Sequence, residues 1–276
     1  MINPDTINPG MTPSDIGSIS SAAIAGLPHL DIFTLSEVWA LGEALHGVWQ
    51  ALGQSLGAPP GQWRDDEGRR IYAAAMALTI TTDLVHPVAE DDALTWDSRL
   101  LAIRKPHALG ETVFSVGGSP RMRVRLLTSL VRRDVPGSNK KLSKVRERWT
   151  APDRDAALVN DWLDRHHTAK AARLFGPQVL RHEANRLADF NAADLFYFRG
   201  FAAVARSAEW QENRGQPPRL AASREAFFFG NVDDGEGMVA RVQRDDDACR
   251  TEVFRDDGAL IFTSDSTAPL VDIPVR

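Results

Sequence analysis

The chain has 276 residues, 43% hydrophobic and 25% charged, with a net charge of −5 and one cysteine, Cys249. That is the composition of ordinary soluble globular material, with room for one large core or two modest ones. The mild negative charge argues against non-specific nucleic-acid binding, and a lone cysteine excludes an internal disulfide. The start, Met1-Ile-Asn-Pro-Asp-Thr, has no basic stretch and no apolar core, and no apolar run reaches the ~18 residues of a membrane span. The expectation is a cytoplasmic protein with no membrane partner.

Residues 1–26, rich in Ser, Pro and Gly, read as an irregular or extended lead-in. From Leu35 the apolar spacing is helical, through Val38, Trp39, Leu41, Leu45, Val48, Trp49 and Leu52. Ser36 or Thr34 can cap this helix, and Gly57-Ala-Pro-Pro-Gly ends it. Its apolar residues cover much of its circumference, so it should be buried. Arg70-Ile-Tyr-Ala-Ala-Ala-Met-Ala-Leu-Thr-Ile-Thr reads as a strand or a short helix. Arg99-Leu-Leu-Ala-Ile-Arg, Glu111-Thr-Val-Phe-Ser-Val and Arg121-Met-Arg-Val-Arg alternate as strands do, with a hairpin turn at Gly117-Gly-Ser-Pro.

Residues 133–189 are charged, with a helical pattern around Asp155–Phe175, and link these strands to a second helix, expected over 191–210. Arg224-Glu-Ala-Phe-Phe-Phe, Gly237-Met-Val-Ala-Arg-Val, Cys249-Arg-Thr-Glu-Val-Phe and Ala259-Leu-Ile-Phe-Thr-Ser then read as strands, with a turn at Asp256-Asp-Gly and an extended tail from Thr267.

Two segments look like one unit used twice. Aligning Phe33 with Phe190 places Glu37 on Asp194 and Trp39 on Phe196, roughly 155 residues apart, about one domain length. The pattern predicts an α+β double hot-dog, with two long helices near 35–55 and 191–210, each wrapped by an antiparallel sheet. The first unit with its lead-in spans 1–150, and a linker helix and the second unit span 151–276. Fused twins often place a ligand site at their shared seam.

Three stretches carry a family resemblance. Gly26-Leu-Pro-His-Leu-Asp-Ile-Phe-Thr-Leu-Ser-Glu-Val-Trp resembles a first-helix signature, Phe190-Asn-Ala-Ala-Asp-Leu-Phe-Tyr-Phe a second-helix signature, and Phe227-Phe-Phe-Gly-Asn-Val-Asp a strand end. Together, over roughly residues 26–265, they resemble the LnmK-like bifunctional acyltransferase/decarboxylases of polyketide biosynthesis. The chain departs from that pattern at Thr34 and at Arg199, where a basic side chain would alter or block part of a site. The resemblance implies decarboxylation of methylmalonyl-CoA and transfer of the propionyl group to an acyl carrier protein. It also implies a tyrosine that carries the acyl group as an ester. Of the two tyrosines, Tyr72 matches that position better than Tyr197.

The residues themselves offer further candidates. A hot-dog site aims a helix N-terminus at a thioester carbonyl, where free N–H groups and the helix dipole favour negative oxygen. Asn191 is placed to cap the second helix or to donate to the thioester. A phenol ionises near pH 10, so Tyr72 needs a donor or cation beside it; Arg70 shares its face on a strand. Tyr72 also fits a half-buried strand position. His29 and Asp31 fit a base pair or a loop that caps the first helix. Ser36, a substrate contact by position, equally fits a local cap with Glu37. Asn231 fits a seam contact or a strand-end turn. Lys140, Lys141, Lys144, Arg146 and Arg148 form a basic run suited to CoA phosphates, to an acidic carrier protein or simply to a solvated linker. His166-His reads as a surface pair.

Phosphate-loop, nucleophile-elbow and metalloprotease motifs are missing from the sequence. Nothing calls for a metal or any cofactor beyond acyl-CoA as substrate. The expected partners are acyl-CoA and an acyl carrier protein, and a homodimer is left open. The rival functions are a thioesterase or dehydratase on the same scaffold and a non-catalytic docking protein.

Overall fold

The computed structural model describes residues 17–146, 152–172, 176–216 and 220–267. Arg148, Phe175, the tail beyond Thr267 and most of the lead-in lie outside them. In chain order the elements are β1 (Ser18–Ile24), α1 (Glu37–Ser55), β2 (Tyr72–Thr82), β3 (Ala93–Arg104), β4 (His107–Val116), β5 (Ser119–Arg133), β6 (Leu142–Lys144) and α2 (Ala156–Ala171). They continue with β7 (Gln178–Glu183), the short α3 (Arg186–Asp189), α4 (Phe198–Glu212), β8 (Ser223–Phe228), β9 (Gly237–Asp245), β10 (Ala248–Arg255) and β11 (Leu260–Thr267).

The strands form one 11-stranded sheet in the order β1-β3-β4-β5-β2-β8-β11-β10-β9-β7, with β6 on β5. Each neighbouring pair is antiparallel. The predicted turn between β4 and β5 is made by Gly117 and Gly118, both at positive φ (58° and 77°), which suits residues without a Cβ.

α1 lies across β1, β3, β4 and β5, and α4 across β7, β9, β10 and β11; the two helices touch each other on the same face of the sheet. α1 buries Leu41, Leu45, Val48 and Leu52, and α4 buries Phe201, Ala202, Ala205 and Ala208. Each fully buried large side chain contributes roughly 1.5–3 kcal/mol. The helix–sheet approach is close. A Cβ on Gly110 of β4 would stand 2.5 Å from a Val48 methyl, so only glycine fits there. This is the double hot-dog arrangement expected from the sequence. On the opposite face α2 packs Val159, Trp162, Leu163 and Ala169 against Ala77, Ala102, Leu109, Leu127 and Phe227.

Three expectations change. Of the two readings of the lead-in, its late part takes the extended one as an edge strand, β1, and β7 lies within the stretch expected to be a charged link, so each half has a strand before its long helix. The second long helix starts at Phe198, not 191. His166 lies on the buried face of α2, not on the surface. No helix among the described residues is long and apolar enough to cross a membrane.

Candidate functional site

The two halves meet through a short seam. β2 and β8 pair only over Ala77–Thr81 and Ser223–Phe227. Beyond this segment they splay, since β2 continues to Tyr72 along β5 while Phe228 pairs with β11. A cleft opens at each end. One, of about 390 Å³, is lined by Ala73–Met76 of β2, by Phe228–Asn231, and by the start of α4. The other, of about 230 Å³, is lined by Thr82, Leu84, Ala221 and Arg224 and by the start of α1.

The segments before the two helices share one hydrogen-bond plan. In the first, Leu30 bridges Leu35 and Asp31 Oδ1 accepts from the N–H groups of Phe33 (2.9 Å) and Thr34 (3.0 Å). In the second, Phe190 bridges Phe196 and Asn191 Oδ1 accepts from Ala193 (2.9 Å) and Leu195 (3.3 Å). The equivalence is therefore Asp31 with Asn191, not Phe33 with Phe190. The second loop is one residue longer, and Asp194 turns it with φ of 57°. Asn191 thus caps its own turn, seven residues before α4, and does not cap the helix. Its Nδ2 donates to nothing among the described residues, and the residue lines the larger cleft.

The two helix N-termini are finished differently. Ser36 accepts from Trp39 N–H (3.4 Å) and caps α1. α4 has Tyr197 at its N-cap position with no side-chain cap, and the N–H groups of Phe198 and Arg199 find no acceptor among the described residues. Phe198 lines the cleft, so the positive end of the helix dipole stands at its wall. Asn231 braces this end: its Nδ2 donates to Phe196 O (3.3 Å) and its backbone O accepts from Arg255 (3.1 Å). Burial raises the Tyr197 phenol above its usual range, against the pull of Arg199. Arg199 itself is exposed, stacks on the Tyr197 ring and does not line the cleft, so the expected blockage is not there.

The inner wall is aromatic, with Trp49 of α1 facing Phe198, Phe201 and Phe228. The wall beneath α2 is polar. His166 Nε2 lies 2.9 Å from Phe228 O, so Nε2 carries the proton and Nδ1 is left with a lone pair. Burial lowers the His166 pKa. Ser129 of β5 and Lys144 of β6 line the same wall, and burial also lowers the Lys144 ammonium.

The smaller cleft spends its charges internally. Arg224, 4% exposed, lies 2.8 Å from Glu37 Oε1 through Nε, an ion pair out of line for a hydrogen bond. Its Nη1 and Nη2 donate to Glu209 (2.7 and 3.0 Å), and Nη1 donates also to Ser264 (2.7 Å). Burial alone would lower this guanidinium's pKa; Glu37 and Glu209 outweigh it and raise it. Cys249, at the same cleft, is pushed up to about 11 by burial and Glu209, so it is no ready nucleophile.

The remaining sequence candidates are dispersed. His29 accepts from Gly26 N–H at Nδ1 (3.0 Å) and packs edge-on to Trp39, lining neither cleft. Asp31 lines the smaller cleft and meets Arg206 (3.4 Å), so the His29–Asp31 pair forms no shared base site. Tyr72 sits just before the first cleft-lining residue of β2, with the guanidiniums of Arg70 and Arg133 5.3 and 5.4 Å from its ring centre. Arg133 also donates to Ala193 O (2.7 Å) and Asp194 O, tying Tyr72's neighbourhood to the loop before α4. Lys140 of the basic run pairs with Glu236 and lines the larger cleft. No group of His, Cys, Asp and Glu among the described residues could hold a metal.

Sequence reasoning missed His166 and Ser129. A helical count places His166 four residues after Trp162 and three after Leu163, on the buried stripe of α2, and that signal was present. Ser129 shares a β5 face with Leu127, which was equally readable.

No protein-family model matches the chain, and no curated protein matches it. Solved structures do share the fold. An acyl-ACP thioesterase from Bacteroides thetaiotaomicron aligns with a TM-score of 0.64 at 10% identity, over 91% of this chain and 97% of that one. A 12:0-ACP thioesterase from Umbellularia californica aligns with a TM-score of 0.65 at 8% identity, over 91% and 96%. At these identities the likeness is one of fold, and the fold is the double hot-dog.

Proposed function

We propose that the chain is an acyl-thioester enzyme working in the larger seam cleft, on acyl groups carried by an acyl carrier protein or by CoA. The observation that carries this reading is the uncapped N-terminus of α4. The start of α4, with no side-chain cap and with Phe198 in the wall, brings the positive end of the helix dipole to a cleft of about 390 Å³ with an aromatic wall, while the matching terminus of α1 is capped by Ser36 and closed by Arg224. Donors set where a thioester oxygen gains charge are worth roughly 3–4 kcal/mol of barrier. The acyl-ACP thioesterases that share the fold support thioester cleavage as the reaction.

The test is release of free thiol from a panel of acyl-CoA and acyl-carrier-protein thioesters. Phe198→Pro, which removes one N–H at a position that tolerates proline, is compared with Phe198→Leu, which keeps it. Turnover lost only in the proline variant supports the reading. Binding of acyl-CoA without any turnover would instead favour a docking protein.

A second reading is the decarboxylating acyltransfer implied by the LnmK-like resemblance, and the two guanidiniums of Arg70 and Arg133 beside the Tyr72 ring favour it, as the cationic neighbours such a tyrosine calls for. In it methylmalonyl-CoA loses CO₂, and the enolate oxygen rests on the α4 donors until carbon takes a proton. The Tyr72 oxygen then attacks the carbonyl carbon. The C–S bond breaks, CoA leaves as the thiol with the phenol proton, and a carrier thiol removes the propionyl group. Intact-mass measurement should show a propionyl adduct on the wild type and none on Tyr72→Phe. Loading of carrier protein by Tyr72→Phe at the wild-type rate would rule this reading out.

A further inference from the structure

Ser129 and His166 face one wall of the larger cleft, 1% and 8% exposed, and each has a buried polar atom with no partner among the described residues: Ser129 Oγ and His166 Nδ1. A buried polar atom left unpaired costs about 1–3 kcal/mol, so an arrangement with two on one wall points to a partner that arrives from outside. The wall is on the α2 side of the sheet. Ser129 shares its strand face with Leu127, which packs under α2, and stands cross-strand from His107, whose Nδ1 is also buried and unpaired.

The chemistry of the missing partner follows from the atoms. His166 spends its N–H on Phe228 O, so Nδ1 only accepts. The Ser129 hydroxyl is free to donate. A ligand that offers an N–H and a C=O along the wall satisfies both, and two successive secondary amides supply that pair, since in a single trans amide the N–H and C=O point to opposite sides. Acyl groups on CoA or a carrier protein hang from a pantetheine arm, which carries two secondary amides behind the sulfur.

We propose that the α2 wall of the seam cleft is a subsite for the two amides of the pantetheine arm, the N–H of one donated to His166 Nδ1 and the C=O of the other accepting from Ser129. The assignment rests on the proposed thioester function. It also fixes direction. The arm enters beneath α2 beside Lys144, and the acyl group passes through the gap between the splayed ends of β2 and β8. It comes to rest against Phe198, Phe201 and Phe228 on the α4 side.

Ser129→Ala tests this, because the hydroxyl has no bond in the structure to lose. Its melting temperature should be equal to or above that of the wild type. KM for an acyl-pantetheine thioester should rise roughly 5- to 10-fold, the value of one buried hydrogen bond, with kcat little changed. The ethanethiol thioester of the same acid, which has no amide, should show the same KM in both proteins. Equal KM values for the pantetheine thioester, or a rise of the same size for the ethanethiol ester, would overturn the subsite. If the wild type cleaves no thioester, the functional reading fails separately. Calorimetric titration with pantetheine then decides the subsite: weaker binding by Ser129→Ala upholds it, and equal or absent binding removes it.

Discussion

Glu37 and Phe198 hold the same place in the two halves, each the first residue of its long helix and each twelve residues before a tryptophan, Trp49 and Trp210, that lines the cleft at the other helix's start. Glu37 is ion-paired through its side chain to buried Arg224, whereas Phe198 carries no charge and lines the larger cleft. The difference between a carboxylate and a phenyl ring at one position separates the closed cleft from the open one.

Asn191 has two separable roles. Asn191→Asp keeps the Oδ acceptor for Ala193 and Leu195 but replaces the unpaired amide donor with an acceptor. Its melting temperature should stay near wild type while thioester turnover falls. Asn191→Ala should lose both, with about 1–2 kcal/mol of stability. Thermal melts beside turnover assays read the two effects apart.

Arg224→Met would leave Glu37 and Glu209, both partly buried, at one seam end with no cation between them. The loss should be about 3–5 kcal/mol, seen by urea unfolding at pH 7. Turnover well below the new melting temperature should persist, because the larger cleft lies at the other end of the seam.

Glu111, 1% exposed, is surrounded by Arg123, Arg125 and Arg99 at 2.7, 2.8 and 3.0 Å. Burial pulls its carboxyl pKa upward, but the three guanidiniums outweigh this and hold it at about 2, against 4.5 for a free glutamate. The folded state therefore binds the proton less readily than the unfolded chain. The stability it contributes is complete above about pH 4.5 and lost as pH falls toward 2. With the guanidiniums partly in water, that contribution is at most about 3 kcal/mol. Glu111→Gln should be less stable than wild type at pH 7, and the gap should close between pH 4.5 and 2 in chemical denaturation.

Gly110→Ala should destabilise by about 1–3 kcal/mol, because the new methyl would overlap Val48 on α1. Adding Val48→Ala removes the overlap. A double-mutant cycle should show the pair coupled, with the double variant losing less than the sum of the singles.

Much of the fold was legible because its signals are local. The α1 periodicity, the alternation in β3 to β5 and the Gly117-Gly118 turn each sit within one segment. The second helix start was misread because Phe190–Tyr197 is apolar enough for a helix. What stops it is a bridge from Phe190 to Phe196 and a left-handed Asp194, neither of which has a mark in hydropathy. β1 escaped because Ser-Ile-Ser-Ser-Ala-Ala-Ile gains its order from pairing with β3, about 75 residues away. Asn191, read as a cap of the second helix or a thioester donor, and Asn231, read as a seam contact or a strand-end turn, both line the larger cleft. His166 reads as a surface residue and Ser129 goes unnamed in the sequence, although each lies on a buried face by its spacing from Trp162, Leu163 and Leu127; what the spacing leaves out is that α2 lies on the sheet at the cleft.

The five-residue pairing of β2 with β8 bears on how such a molecule can change. Two identical hot-dog chains side by side would present the same mouth at both ends, so any substitution that closed one would close its twin. Joined in one chain, the two mouths have separate addresses. Arg224 could fill one without reaching the other, and the filled end is free to serve as an anchor while its counterpart keeps a helix tip with no side-chain cap beside an open cleft.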